Sequence, residues 1–402
     1  MSELKFRPLR VTAYTVCTAA GTGRAATLSA LAERRSGLTR NDFGPSPLAT
    51  WIGRVPGLED EALPAEWAQW ECRNNRLAWR GLVADDFAEA VAAARERYGA
   101  ERIAVVIGTS TASIGASEDA YTRLEPDGRY PPDLRRPIVH TPHSLGDFVQ
   151  HALALRGIAV TVGTACSSSA KVFGQAERLI RAGLADAAVV GGVDTLCGST
   201  LFGFNSLELI ASERCRPFDV ARRGINIGEA AGFALLERAA AGREAGMWLL
   251  GFGESSDAHH MSTPHPEGVG ARRALRDALE TAQLTAESID YINLHGTASL
   301  KNDEVEARLV AELFPARTFA SSTKGWTGHT LGAAGMVEAA ISLIALESGV
   351  LPGTLNTEQL DPVCGPQIRR ENEQWRVQRA LSFSFGFGGS NCVLAFGRGN
   401  PG

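Results

Sequence analysis

No stretch of this 402-residue chain reaches about 18 uninterrupted apolar residues, so nothing in it reads as a membrane span. The N-terminus, MSELKFRPLR, lacks the long apolar run of a secretory signal, and a cytoplasmic location is expected. An excess of positive charge is missing as well. Forty Lys and Arg against 45 Asp and Glu leave a formal charge of −5, which argues against general nucleic-acid affinity. The seven cysteines (Cys17, Cys72, Cys166, Cys197, Cys215, Cys364 and Cys392) are scattered and odd in number, without the CxxC or HxxxH pairing of a zinc site. Reduced thiols and no bound metal are expected, which leaves one of them available for chemistry.

What is present is 44% hydrophobic residues, 21% charged residues and 43 glycines, the composition of a tightly turned globular protein. A chain this long exceeds what one core usually supports. Two packed halves are expected, 1 to 240 and 241 to 402, joined near ERAAAGREAGMW (237 to 248). Strand and helix patterns alternate. Helices are predicted over 85 to 99, 145 to 157, 268 to 284, 305 to 314 and 332 to 349, strands over 289 to 296 and 318 to 323, and a buried strand and turn over 102 to 111, while 185 to 194 is a short apolar run bounded by turn residues. EAAGFALLE (229 to 237) reads as a closing strand, and LSFSFGFGGSNCVLAF (381 to 396) as two strands around a glycine turn. Parallel α/β layers follow from that rhythm. Strand, small-residue turn and apolar helix recur around Cys166 and around His329, a weak sign of duplication.

Four segments carry chemistry. TVGTACSSSAKVFGQAERLI (161 to 180) delivers Cys166 on a strand to a turn of small residues, and the positive N-terminal end of the next helix is expected to favour its thiolate. A buried structural cysteine is the competing reading. YINLHGTASLKND (291 to 303) puts His295 at a strand end, SSTKGWTGHTLGAAGMVEAA (321 to 340) puts Lys324 and His329 in a glycine-laced turn, and SFGFGGSN (384 to 391) offers backbone N–H groups beside Phe385 and Phe387. A thiol, two imidazoles, a lysine and such a turn are what acyl transfer through a thioester requires. Arg73, Arg76 and Arg80 recur at helical spacing, and Arg129, Arg135 and Arg136 sit in a proline-rich loop. In an acidic protein these patches suit a small acidic partner or a phosphate; a solvated arginine face is the alternative.

TACSSSA, HGTASLKND, STKGWTGHTLGAAG and FSFGFGGSN, in that order, resemble the four active-site signatures of the elongating, two-histidine β-ketoacyl-acyl carrier protein synthases, and RPFD (216 to 219) and SSDAHHMSTPHPEG (255 to 268) add to the likeness. The resemblance implies the thiolase fold, a duplicated five-layered α/β/α/β/α architecture that forms a homodimer through strands next to the cysteine. It implies decarboxylative condensation of an acyl thioester with malonyl-acyl carrier protein, with no cofactor beyond the phosphopantetheine arm of that carrier. Cys166 would be the nucleophile, and His295 and His329 would stabilise the malonyl enolate. Lys324 would pair with Glu338. Backbone N–H groups of Cys166 and Phe387 would form the oxyanion hole. Thr297 and Ser299 would bind the pantetheine arm, and Asp303 would be a buried structural carboxylate. Arg73, Arg76, Arg129, Arg135 and Arg136 would dock the acidic carrier. A non-elongating partner subunit in a heterodimer is the alternative, which the presence of Cys166 disfavours. Cys392, near where thiolases place a second cysteine, is expected to be core packing.

Departures from the family pattern point to specialised, polyene or polyketide-like lipid synthesis rather than housekeeping fatty-acid elongation. Arg222, Arg223, Gly224 and Ile225 stand where Arg, Asp, Gly and Phe are usual, which removes an aromatic wall near the malonyl side. Ala298, Ser299 and Leu300 replace Ser, Thr and Pro, and Thr111 stands where the acyl pocket is lined at the dimer interface.

Overall fold

The computed structural model describes residues 6–239 and 245–399, so the expected boundary at 240/241 lies outside the described residues. The N-terminal part supplies β1 (Leu9–Thr18), α1 (Arg73–Leu82), α2 (Phe87–Tyr98), β2 (Ile103–Gly108), α3 (Ser144–Ala152), β3 (Ala159–Val162), α4 (Ser168–Arg181), β4 (Ala187–Asp194), α5 (Gly198–Ser206) and β5 (Ala230–Arg238). The C-terminal part supplies β6 (Gly246–Ser256), α6 (Val269–Ala282), β7 (Tyr291–Asn293), α7 (Leu300–Leu313), β8 (Phe319–Ser321), α8 (Ala334–Ser348), β9 (Arg379–Gly386) and β10 (Ser390–Gly399).

The first five strands run in the order β3-β2-β4-β5-β1 and the second five in the order β8-β7-β9-β10-β6. Within each set two neighbouring pairs are parallel and two antiparallel, in the same sequence. The antiparallel pair β1 and β6 joins the sets with Leu9 opposite Leu249, and each of these two strands carries a register shift, at Val11/Ala13 and at Leu249/Gly251. This shared order is far clearer than the weak repeat in the sequence.

Helices α4 and α8 pack against strands of both sets, α1 to α3 cover the first set and α6 the outer side of the second, giving five layers. The centre explains the composition. β2 and β4 are buried along their whole length and therefore read as continuous apolar runs. α8 is buried from Ala334 to Leu346. With the preceding turn, Leu331–Ser348 has a mean hydropathy of 1.5 and would pass as a membrane span by length and composition, yet 89% of it is inside the fold. Glycines let the first turn of α4 rest on the sheet: a Cβ at Gly108 would lie 2.4 Å from the Ser169 amide nitrogen, and one at Gly192 would lie 2.3 Å from the Ser169 Cβ.

Among the expected elements that differ in length, three show the local cause. The strand predicted over 289 to 296 ends at Asn293: the Leu294 amide still donates to the Ser321 carbonyl at 2.8 Å, but those of His295 and Gly296 donate instead to the Glu306 carboxylate. The helix expected to start at 305 starts at Leu300, its first turns hidden from an apolar count because Asn302, Asp303 and Glu306 face inward. The helix expected to run to 157 stops at Ala152, with Ala154 at φ +51°. β1 and β6 had no counterpart in the sequence reading, and β6 begins inside the expected join.

Candidate active site

Cys166 stands between β3 and α4 on a turn that its serines lock in place. Ala165 is held at φ +51°, a left-handed conformation that costs a residue with a Cβ about 1–2 kcal/mol. The Thr164 amide donates to Ser168 Oγ at 2.9 Å, Ser168 Oγ donates to the Ala165 carbonyl at 2.6 Å, and Ser167 Oγ donates to the Thr164 carbonyl at 2.9 Å. Ser169 Oγ accepts the Met336 amide at 2.9 Å and so ties α4 to α8. These serines are structural bolts, where the sequence reading saw only small residues that leave the sulfur uncrowded.

His329 Nε2 lies 3.0 Å from Cys166 Sγ. The chain at His329 is pinned from both sides, its amide donating to the Asn226 carbonyl at 2.7 Å and its carbonyl accepting the Gly228 amide at 2.9 Å. The His295 ring stands edge-on to it, centroids 5.4 Å apart at 87°. The ammonium of Lys324 donates to the His295 carbonyl and to Glu338, whose other oxygen accepts from Ser384 Oγ at 3.1 Å. Phe385 lies 6.1 Å from the His295 ring, and the Phe387 N–H hydrogen-bonds the Cys166 sulfur. Cys166, His295, His329, Phe385 and Phe387 line one cavity of about 320 Å³ together with Thr297, Ser299 and Ile225, and Lys324 and Glu338 lie behind its wall.

Burial sets the protonation. It pushes the Cys166 thiol up to about 12, against the Lys324 charge and the Phe387 N–H, so the resting sulfur is a thiol and not the thiolate expected from the helix end alone. Burial and the Lys324 charge hold both imidazoles well below their ordinary value, His295 being lowered further by His329. Both are neutral at physiological pH. Burial raises Glu338 to about 7 despite its ion pair with Lys324.

Asp303 is buried and accepts the Phe218 amide at 2.7 Å and the Ala298 amide at 3.2 Å, with burial raising it to about 6. Thr297 and Ser299 hydroxyls lie 2.9 Å apart on the cavity wall. Thr111 is not among the residues lining that cavity: its hydroxyl donates to Asp194 at 2.7 Å. The arginines divide. Arg73 turns inward to the buried Glu229 and to Glu59, Arg76 pairs with Glu71, and Arg136 donates to the Glu71 carbonyl at 2.6 Å. Arg129 and Arg135 are exposed. Cys392 is fully buried inside β10.

Three residues absent from the sequence reading hold the site. Glu306 accepts the His295 and Gly296 amides, each at 2.7 Å, and fixes the backbone from which His295 projects. Asn226 anchors His329. Asp194 accepts from Thr109, Ser110, Thr111 and the Gly332 amide, joining the Thr111 loop to the turn after His329. Glu306 follows Asp303 by three positions on one helix, the single signal that could have flagged it.

A buried thiol, two neutral imidazoles and a backbone N–H donor, set between two matching halves of a five-layered α/β frame, define a condensing enzyme of the thiolase fold. Residues 82–241 match the family model described as the β-ketoacyl synthase N-terminal domain and residues 248–358 that of its C-terminal domain. The chain is 34% identical over 307 residues to Nodulation protein E of Rhizobium meliloti (strain 1021), covering 73% of this chain and 75% of the relative. It is 39% identical over 265 residues to 3-oxoacyl-[acyl-carrier-protein] synthase 2 of the same organism, covering 61% and 62%. Among solved structures, a chain of the ketosynthase and chain length factor complex from Xenorhabdus doucetiae superposes with a TM-score of 0.88 at 34% identity over 99% of both chains. A β-ketoacyl synthase from Burkholderia phymatum STM815 gives 0.84 at 29% identity over 98% and 99%. The chain belongs to the β-ketoacyl synthase family.

Proposed function

We propose that this chain condenses an acyl group carried on Cys166 with malonyl-acyl carrier protein, releasing carbon dioxide and a β-ketoacyl-acyl carrier protein. The observation that carries the reading is the 3.0 Å approach of His329 Nε2 to Cys166 Sγ, with His295 beside it in the same cavity. Cys166 attacks the acyl thioester, its proton passes to His329, and the carrier thiol leaves with that proton. The tetrahedral oxyanion is met by the N–H groups of Cys166 and Phe387, donors worth about 3 kcal/mol each in comparable sites. The malonyl thioester then loses its carboxylate as carbon dioxide. N–H groups of His295 and His329 hold the enolate oxygen, the enolate carbon attacks the acyl carbonyl, and the C–S bond breaks to release the Cys166 thiolate, which takes a proton from water to return to the thiol. Lys324, fixed by Glu338, holds His295 through its carbonyl.

On this reading the halves 1–240 and 241–402 supply the thiol and the imidazoles respectively. The carrier docks on the face bearing Arg129, Arg135 and Arg136, while Arg73 and Arg76 brace that face through Glu229 and Glu71. Thr111 acts in the acyl pocket through the dimer interface. The cytoplasmic location expected from the sequence goes with the reading. Both a homodimer and a pair with a chain-length subunit suit it, since the Xenorhabdus doucetiae relative was solved in complex with its chain length factor. Supplying purified protein with acyl-acyl carrier protein should add the acyl mass at Cys166, and malonyl-acyl carrier protein should then release an elongated product. Acylation without elongation would identify a non-elongating partner subunit instead.

A further inference from the structure

The cavity runs from a buried floor to an exposed rim. Cys166, His295 and His329 form its floor, each 5% exposed or less, and Arg223, Leu300 and Lys301 are exposed residues of its lining. Arg222 and Arg223 are neighbours with opposite surroundings. Arg222 is buried, donating to Asp361 at 2.7 Å, to the Asp219 carbonyl at 2.8 Å and to the Leu300 carbonyl at 3.1 Å. Arg223 makes no hydrogen bond or ion pair among the described residues. Its place is nevertheless fixed: the Gly224 amide donates at 3.1 Å to the carbonyl of Ala298, which stands between Thr297 and Ser299. Gly224 itself is at φ +122°, where an added Cβ would lie 2.2 Å from the Leu209 carbonyl oxygen. Among the described residues, Lys301 pairs only with Glu304, an exposed contact of 3.5 Å. Of the acidic groups lining the cavity, Glu208 is exposed and unpaired with Arg223, and Asp257 is engaged by Asn391 at 2.8 Å.

A phosphopantetheine arm carries its thioester at one end, two amides along its length and a phosphodiester at the other. With the thioester at Cys166 and the amides at Thr297 and Ser299, the phosphate falls at the rim. We propose that Arg223, assisted by Lys301, grips that phosphodiester, so that this chain reads the charge of the arm as well as its amides. The inference rests on the condensing-enzyme reading and adds a specificity-determining residue to it. Where the family pattern has an aspartate, this rim has a free guanidinium, whose planar donors suit a phosphate.

The test uses the intact protein and two small thioesters, hexanoyl-phosphopantetheine and hexanoyl-pantetheine, which differ only in the phosphate. Initial rates of Cys166 acylation are read by intact-protein mass at subsaturating substrate. The wild type should prefer the phosphorylated thioester by about tenfold, the scale of one charge-assisted hydrogen bond at a partly exposed site. Arg223→Ala should bring that preference close to one, Arg223→Lys should retain part of it, and raised salt should shrink it in the wild type. An equal preference in wild type and Arg223→Ala, or none in the wild type, overturns the assignment while leaving the condensation reading intact. If neither thioester nor acyl-acyl carrier protein adds mass to Cys166, the condensation reading itself fails and takes this one with it.

Discussion

Removing either partner of the Lys324 and Glu338 pair should destabilise the protein far more than removing both. Each side chain is 4% exposed or less, and each has few other partners: Lys324 reaches the His295 carbonyl, and Glu338 accepts from Ser384 Oγ. Glu338→Met leaves a buried ammonium without its counter-charge, and Lys324→Met leaves a buried carboxylate with a single hydroxyl donor. Breaking a buried pair from one side costs about 3–5 kcal/mol. Lys324→Met/Glu338→Met removes both charges and replaces them with unbranched apolar chains, so most of that loss should return, leaving a deficit of about 1–2 kcal/mol. Equilibrium urea titration followed by tryptophan fluorescence measures this, provided the slope m is common to all four proteins. The double variant should still be impaired in malonyl decarboxylation, because the His295 carbonyl has lost its charged donor. Single-variant losses that simply add in the double variant would refute the argument, since the two groups would then not be each other's main compensation.

Three further outcomes follow from the same geometry. Because burial raises the Cys166 thiol to about 12, its alkylation by iodoacetamide should quicken about tenfold per pH unit from 7 to 9; a plateau in that range would mean the thiolate is stabilised after all. Asp303, Glu338 and Glu306 are raised by burial to about 6, 7 and 8, so the fold retains protons that the unfolded chain releases near pH 4. Their contribution to stability is complete below that pH and is lost as pH rises through 6 to 8, so urea midpoints should fall between pH 5 and pH 9, and a midpoint that rises instead would contradict the assignment. Gly335→Ala should destabilise by about 1–3 kcal/mol, since its Cβ would lie 2.6 Å from the Ala170 amide nitrogen where α8 crosses α4; an unchanged urea midpoint would show that the crossing can open without strain.

The sequence alone determined the class of chemistry. Local signals are strong where a reactive group needs an unusual backbone: the small residues around Cys166, the glycines flanking His329 and the FGFGGSN turn are written contiguously, and their order along the chain matches one family. The α/β rhythm was legible for the same reason, since buried central strands such as β2 and β4 are unbroken apolar runs. Only the tertiary structure decided the rest. The ends of β7 and α7 depend on Glu306 capturing the amides of His295 and Gly296, a pairing between residues 10 and 11 positions apart that no periodicity announces. The inward turn of Arg73 depends on Glu229, 156 residues away. The protonation of Cys166 depends on burial that the fold imposes from every side, which outweighs the helix end visible in the sequence. Contacts between residues close in sequence leave a local pattern; desolvation and long-range pairing do not, and these set the charge, the pinning of both histidines and the free guanidinium at the rim.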